Sequence, residues 1–582
     1  MMPSRMAERL RIGKVRMTGP WRSALAGWGV MPSAIGRLAL IPNDLFMPDP
    51  SFLREVSDGL FGLGGHAVTI GRGSPFAITT AEPHWLADLH GFSWLGHLRA
   101  DGNPRAVEFA RRAVADWIDR HRMPQGLPWR PVVLANRITA WLVNATLLLD
   151  DAEPAQYRAV LRSLGRQIRR LDATRHEAAP GVDRAMCAIA LVKAALAIEA
   201  AERHVTRLEG ELQAELGRQI GPDGSHISRN PSDGLDILVQ LLPLRGLYRA
   251  IGREPQALAE VTDRLFRFLE HMRLGDGTLA RFNGMGPNRP DTLGAVVAFD
   301  RHRDAVGSVE TLGGYARLAS GEAIVLVDVG RPPPLEYASA AHAGCLSFEM
   351  SWGATSILRN CGAPAAGFHQ GGHAPRSTAS HNTLALDARS SARLVESAGL
   401  EQLLGAQPLR GPAEVAAAVR DDGAGITLEA RHDGYVADTA ILHERHLTLA
   451  RDGRRLEGTD RLGGRSGVLR LPLDLPFAIH FHLGPDVGAR SHADGQAALL
   501  ELGSADPAWT FEVTGARLTI EASTDWADIA GPRPGRQIVL RGTCPGETTV
   551  SWSLTAVDRP HDSPVEIVAT ATARVSPGDQ SC

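Results

Sequence analysis

Apolar residues recur at helical spacing through the first half of this chain and at every second position through the last part. In "NRITAWLVNATLLL" the residues Ile138, Trp141, Leu142, Ala145, Leu148 and Leu149 fall on one helical face. "MCAIALVKAALAIEAA" (186–201) is apolar nearly all round, which predicts a helix buried among others. "VTDRLFRFLEHM" repeats the helical spacing with Leu265, Phe268, Leu269 and Met272. Breaks rich in Pro and Gly ("AAPGVDR", "GPDGSHISRNPSDG", "LGDGTLARFNGMGPNRP") separate these runs, so successive antiparallel helices are expected from about 85 to 290.

After about residue 305 the period becomes two. "TVSWSLTAV" sets Val550, Trp552, Leu554 and Ala556 against polar neighbours, and "AIHFHL" alternates in the same way, leaving His480 and His482 as structural or surface residues. "HLTLARDGRRLEG" predicts two strands around an Asp452-Gly453 turn. The fold class predicted is α+β and multidomain: an N-terminal (α/α) toroid of antiparallel helices followed by a C-terminal antiparallel β-sandwich. The expected division is 1–84 for an N-terminal extension and first helices, 85–305 for the toroid and 306–582 for the sandwich. No internal repeat is strong enough to change that division.

Composition narrows the functional classes. A chain of 582 residues exceeds one compact core, and 44% hydrophobic with 22% charged residues describes an ordinary globular protein. A net charge of -3 supplies no field for nucleic acid, and no nucleic-acid-binding signature is present. The five cysteines show no CxxC pair, which argues against a disulfide framework or zinc ribbon. "SALAGWGVMPSAIGRLALI" is too interrupted by Gly, Pro and Arg to span a membrane. The basic N-terminus lacks the apolar core of an export signal, so a cytoplasmic location is the expectation from sequence.

Three short segments bring chemistry to the β half. "HAGCLSFEM" carries His342, "RNCGAP" carries Asn360 and "RSTASHNTLAL" carries His381. Their separations suit neighbouring antiparallel strands, and two imidazoles with an oxygen donor would suit a divalent metal, zinc by default. The same histidines could instead satisfy buried backbone groups, with Asn382 stabilising a turn.

These segments, in this order, resemble the C-terminal core of the heparinase II/III-like polysaccharide lyases, whose pattern runs roughly H-x-H-x-D-x-L-S-F-E, D-x-G and R-S-T-x-x-H-N-T. The close match covers about 45 residues, and the helix-then-strand organisation agrees over most of the chain. The resemblance implies a toroid-and-sandwich fold, β-elimination on an acidic, uronate-containing polysaccharide, and a metal held by His342, Asn360 and His381, structural rather than catalytic. It also implies the periplasm or cell envelope, and a homodimer is among the assemblies it admits. The pattern's first histidine falls on Ala340 here, its following aspartate on Gly344, and the aspartate of D-x-G on Asn360. The toroid's catalytic tyrosine has no counterpart in "DGSHISRNP" (223–231).

Elimination requires neutralisation of the uronate carboxylate, a base for the C5 proton and an acid for the leaving oxygen. The residues available for those tasks are Asp183, Arg184 and Asn230 beside the carboxylate, His226 as base or acid, and Tyr315 near the cleft, with Arg376 and His373 to bind substrate. His369 shares the Gly-rich loop with His373. Two other readings stay open: a catalytically impaired protein of glycan binding or envelope-polysaccharide assembly, and a carboxylate-based glycoside hydrolase on the same fold.

Overall fold

The computed structural model describes residues 35–558 except 72, 80, 300–306, 366, 367, 369, 370, 396–398, 400, 402–406, 408, 465–473, 493, 504 and 505. His369 therefore lies outside the described residues. The helical half runs α1 (Phe52–Ser57), α2 (Pro83–Gly91), α3 (Leu95–Asp101), α4 (Pro104–Arg120), α5 (Pro131–Val143) and α6 (Ala145–Leu149). It continues with α7 (Pro154–Thr174), α8 (Val182–Ala197), α9 (Val205–Gln219), α10 (Pro231–Ala250), α11 (Gln256–His271) and α12 (Pro290–Phe299). Proline opens α2, α4, α5, α7, α10 and α12, where its missing N–H costs nothing and its fixed φ starts the helix.

Helices α2, α5, α8 and α10 pack on one another in that order and form the inner wall, while α4, α7, α9 and α11 lie outside them. This is the (α/α) toroid expected. Its inner helices are apolar on most faces, as "MCAIALVKAALAIEAA" predicted for α8. The run around Trp141 is two helices rather than one, broken at Asn144, whose side chain donates to the Ala140 carbonyl at 2.8 Å.

A hairpin missed by the sequence reading, β1 (Leu60–Leu63) with β2 (His66–Thr69), precedes the toroid. Beyond it, β3 (Val309–Leu312), β4 (Tyr315–Ser320), β5 (Ala323–Asp328), β6 (Phe348–Trp352) and β7 (Thr355–Leu358) form an antiparallel meander. After β8 (Leu384–Leu386) and a two-residue pair, β9 (Arg393–Leu394) with β10 (Leu409–Arg410), come β11 (Val415–Asp421), β12 (Gly425–His432), β13 (Ile441–Ala450) and β14 (Arg455–Gly464). The rest are β15 (Leu475–His482), β16 (Gly488–Ser491), β17 (Ala497–Glu501), β18 (Ala508–Thr514), β19 (Arg517–Asp525), β20 (Arg533–Cys544) and β21 (Thr548–Val557).

The eight-stranded sheet has the order β11-β12-β13-β14-β21-β18-β17-β16, and a four-stranded sheet has the order β19-β20-β15-β8. The Asp452-Gly453 hairpin forms as predicted, with Gly453 at φ 73°. β6 and β7 pair as neighbours, as "CLSFEM" and "TSILRN" predicted, but β8 does not join them. It pairs with β15 in another sheet, so the motif segments meet across sheets rather than along one.

Tyr315 and Leu326 of the β half belong to the toroid's core, so the two halves share apolar packing where β4 and β5 meet the helices.

Candidate functional site

The chain just ahead of α10 meets the β half at Tyr315, and Gly181, just ahead of α8, lies beside Tyr337 and His226. The loop 221–230 between α9 and α10 carries most of the polar contacts there. His226 is 1% exposed and both ring nitrogens are engaged, Nδ1 with Ser228 Oγ at 2.6 Å and Nε2 with Gln219 Oε1 at 3.0 Å.

Gln219 settles the protonation. Its amide nitrogen donates to the Gly181 carbonyl at 2.9 Å and to Glu215 at 2.6 Å, so its oxygen faces His226 Nε2, which must carry a hydrogen. The Ser228 backbone amide donates to Nδ1 at 3.2 Å, which leaves Nδ1 bare to accept the Ser228 hydroxyl as well. The remaining contact, Ser228 Oγ to Asp233 Oδ2 at 2.6 Å, then closes as a hydrogen bond with Asp233 protonated. Burial supports both assignments, pushing Asp233 up to about 7 and His226 down to about 4.

Because the unfolded Asp233 carboxyl ionises near its ordinary 3.8, its contribution to stability is full below about pH 4 and is lost as pH rises through about 7. Asp233→Asn keeps a donor toward Ser228 and cannot ionise. Urea unfolding from pH 4 to 8 should show wild type losing stability relative to this variant, and a constant difference would disprove the protonated carboxyl.

Two of the other toroid candidates are tied to the backbone by one atom each. Asn230 caps α10, its Oδ1 accepting from the Ser232 amide at 3.0 Å. Arg184 donates from Nε to the Ala178 carbonyl at 3.0 Å. Asp183, in the first turn of α8, is partly exposed, and burial pushes its carboxyl up.

Tyr315 is 0% exposed, and its hydroxyl donates to the Arg229 carbonyl while accepting from Asn283 Nδ2 at 2.7 Å. Burial raises its phenol, so it is neither a ready base nor open to a substrate. Arg229, within "DGSHISRNP", is one of several residues that tie the halves together, beside Asp223, Arg281 and Arg317. Its guanidinium pairs with Asp328 at 2.7 Å and donates to the carbonyls of Gly313, Gly314 and Arg331. It also lies over the Tyr315 ring at 4.5 Å. An acidic residue ending the apolar strand "IVLVD" was the available signal for Asp328.

Arg376 donates to the carbonyls of Ala338, Ala341 and Gln407, which makes it a clamp on the loops around it rather than a free substrate ligand. His373 is exposed ahead of a 3₁₀ turn. Neither joins the His226 network.

The three motif segments of the β half do converge. His381 Nδ1 donates to the Ser377 carbonyl at 2.7 Å, so its Nε2 is bare and accepts from His342 Nδ1 at 3.1 Å. Burial keeps both rings neutral, with His381 brought down to about 4. Asn360 Oδ1 accepts from the Asn382 amide at 2.9 Å, and Asn382 itself bridges the Phe348 carbonyl and the His482 amide. Glu349 accepts from the amides of Asn360 and Arg281. His480 and His482, expected as structural or surface residues, are both buried.

For a divalent metal this set offers two neutral imidazoles already bonded to each other and an uncharged amide oxygen already accepting. Among the described residues no group of three or more His, Cys, Asp or Glu side chains is placed to hold a metal. The residues present do not fit the structural zinc that the resemblance implied.

Two cavities matter. One of about 10 Å³, lined by Arg229, Asn283, Asp328, His342 and Cys345, links the motif cluster to the Arg229 knot and is too tight for a sugar. The other, of about 530 Å³, lies among the inner helices α5, α8 and α10.

Residues 311–553 match the family model described as "Heparinase II/III-like, C-terminal". The chain is 29% identical over 553 residues to FtsZ-localized protein C of Caulobacter vibrioides (strain NA1000 / CB15N), covering 93% of both chains. Among solved structures it is similar to heparinase III, with a TM-score of 0.70 and 12% identity over 97% of this chain and 94% of that one. It is also similar to a mutant of the heparan sulfate lyase HepC from Pedobacter heparinus, with a TM-score of 0.63 and 13% identity over 95% and 91% of the two chains. The toroid-and-sandwich architecture is thus that of the solved heparinases, and residues 311–553 match the heparinase II/III-like C-terminal domain.

Proposed function

We propose that this protein keeps the polysaccharide-lyase scaffold but acts by binding rather than by β-elimination, as a cytoplasmic component of the division assembly built on FtsZ. One observation carries the first part: two of the acid–base candidates between the halves, His226 and Tyr315, are consumed by the fold. Tyr315 donates to Arg229, His226 has both nitrogens engaged at 1% exposure, and Asn230 caps a helix. Removing even one acid or base commonly costs elimination about 10²–10⁴-fold. The full-length likeness to a protein named for its localisation with FtsZ supports the second part. No described helix is long and apolar enough to cross a membrane, so anchoring by such a helix forms no part of the proposal.

The test has two arms. Incubation with a panel of uronate polysaccharides should give no rise at the unsaturated-uronate absorbance band, and a rise would reinstate the lyase. A fluorescent fusion should coincide with the FtsZ ring, and purified protein should sediment with FtsZ polymers; a fusion excluded from the division plane would remove the division role.

The second reading, a lyase on an acidic polysaccharide, is favoured by the shared architecture and by the 530 Å³ cavity. Hydrolysis in place of elimination would leave new reducing ends without a double bond.

Metal analysis of the purified protein addresses the histidine pair. Less than stoichiometric zinc, unchanged in His342→Ala, is expected; one equivalent lost in that variant would contradict the poor fit of the donor set.

A further inference from the structure

Lysine occurs at two positions in the whole sequence, 14 and 193, against a Lys plus Arg total of 62. Cations in this protein are therefore arginines almost without exception, and Lys193 stands out by its place. It lies on the inner helix α8, is 1% exposed, and lines the 530 Å³ cavity. Its ammonium donates to Gln240 Oε1 at 2.7 Å and, among the described residues, forms no ion pair. Asp44, the acid that acts on it, is engaged by Arg99 at 2.7 Å. Burial brings the amine down to about 7, with Asp44 working against the shift. A buried ammonium with a neutral amide for its partner is a costly arrangement that an anion in the cavity would relieve.

The cavity holds a second unmatched group. Asn144 is 2% exposed, and its Oδ1 has no donor among the described residues, although its Nδ2 is bonded to Ala140. Pro243 also lines the cavity, within α10, and can give no N–H to the carbonyl of Val239, another lining residue four positions back. Asn136, Thr139 and Gln240 add side chains that both donate and accept. Of the charges lining the cavity, Asp44 is paired with Arg99 and Arg289 with Asp236, while Asp291 is exposed. Lys193 is thus the buried cation left to be matched, together with acceptors that want hydroxyl donors.

We propose that the axial cavity of the toroid is a binding site for a small hydroxylated monocarboxylate of about one sugar unit, its carboxylate received by Lys193 and a hydroxyl by Asn144. A cavity of this volume accommodates a ligand of that size, and a single ammonium balances one carboxylate but not a phosphate dianion. The site lies along the inner helices, apart from the His226 and Arg229 networks at the junction with the β half. It holds whether or not the protein works beside FtsZ.

Isothermal titration of the full-length protein with D-gluconate and D-glucuronate, against D-glucose and inorganic phosphate, tests this. Binding of either acid in preference to glucose and phosphate is expected. Lys193→Met should weaken it by about tenfold or more, and Asn144→Leu by several-fold, with helical circular dichroism retained. Absence of heat with both acids, equal affinity for glucose, a preference for phosphate, or undiminished binding in Lys193→Met would each overturn the proposal. The wild-type protein supplies a readout independent of variant folding. Trinitrobenzenesulfonate labelling of Lys193, mapped by mass spectrometry with Lys14 as internal reference, should slow when gluconate is added and not when glucose is; equal labelling with and without gluconate would also overturn it.

Discussion

Asp460→Ala is expected to destabilise the β half by about 3–5 kcal/mol, because it leaves a buried guanidinium without its counter-charge. Asp460 accepts from Arg445 Nε at 2.8 Å and Nη2 at 3.0 Å, from His443 Nε2 at 2.7 Å and from the Trp552 indole at 3.0 Å. Arg445 in turn donates to the carbonyls of Leu346 and Asn382, binding strand β13 to the motif segments. The side chains of Arg445, His443 and Asp460 are fully enclosed.

The histidines behind them form a neutral relay. The Gly434 amide donates to His432 Nδ1, His432 Nε2 donates to His443 Nδ1, and His443 Nε2 donates to the carboxylate. Burial alone would raise the Asp460 carboxyl, but Arg445 and then His443 hold it well below its ordinary 3.8. A depressed folded value means that this stabilisation is present above about pH 4 and is lost as the pH falls below it. The gap between wild type and Asp460→Ala in urea unfolding should therefore be widest near neutrality and narrow in acid. Asp460→Leu combined with Arg445→Met should recover much of the loss, since removing both charges leaves none unpaired. An Asp460→Ala protein of wild-type stability would refute the assignment.

Arg229→Met is expected to cost about 3–5 kcal/mol and to divide one thermal transition into two. The guanidinium is the charged tie, beside the Asp223–Gly313 hydrogen bond, between α10's approach loop and the first strands of the β half, and without it Asp328 stays buried with Asn283 and the Gly330 amide as partners. Arg229 also sits at φ 61°, an unfavourable region for a residue with a side chain, which its hydrogen bonds and the Tyr315 ring hold in place. Scanning calorimetry should resolve separate melting of toroid and sandwich in the variant, and Asp328→Asn on the same background should regain part of the loss. A single transition at the wild-type temperature would show that the shared apolar packing, not the ion pair, joins the halves.

Both effects fall on residues that sequence alone valued little, and the reason lies in the kind of signal each carries. Helical periodicity along α5, α8 and α11 and the two-residue alternation along β13, β14 and β21 are local properties, since each follows from which face of an element is apolar. They placed the toroid, the sandwich and the change between them. The order of L-S-F-E and R-S-T-x-x-H-N-T was equally local and led to the family.

Arg445 was partly legible. It occupies the inward phase of β13 with Ile441, His443, Leu447 and Leu449, and a cation in a buried phase implies a buried partner. Nothing along the chain says that the partner is Asp460, because that depends on the register between two strands.

The site candidates show the same limit. His226, Asn230 and Tyr315 were chosen for chemistry that their side-chain types can perform, and their partners decide whether they perform it. Asn230 became a cap because Pro231 starts a helix beside it, and Tyr315 became a strut because Arg229 turns its carbonyl toward the phenol. His342, Asn360 and His381 do meet, but across sheets, with both His381 nitrogens, His342 Nδ1 and the Asn360 oxygen already claimed.

Residue types, their spacing and their phase were sufficient for the architecture and the likeness of the β half to the heparinase II/III-like C-terminal domain, since apolar faces can be covered by any neighbour. Which polar group is satisfied and which is left waiting, as with Lys193 and Asn144 in the axial cavity, depended on segments far apart in sequence meeting at hydrogen-bond distance. Hydrogen bonding is directional and short-ranged, so that selection was made by the tertiary fold.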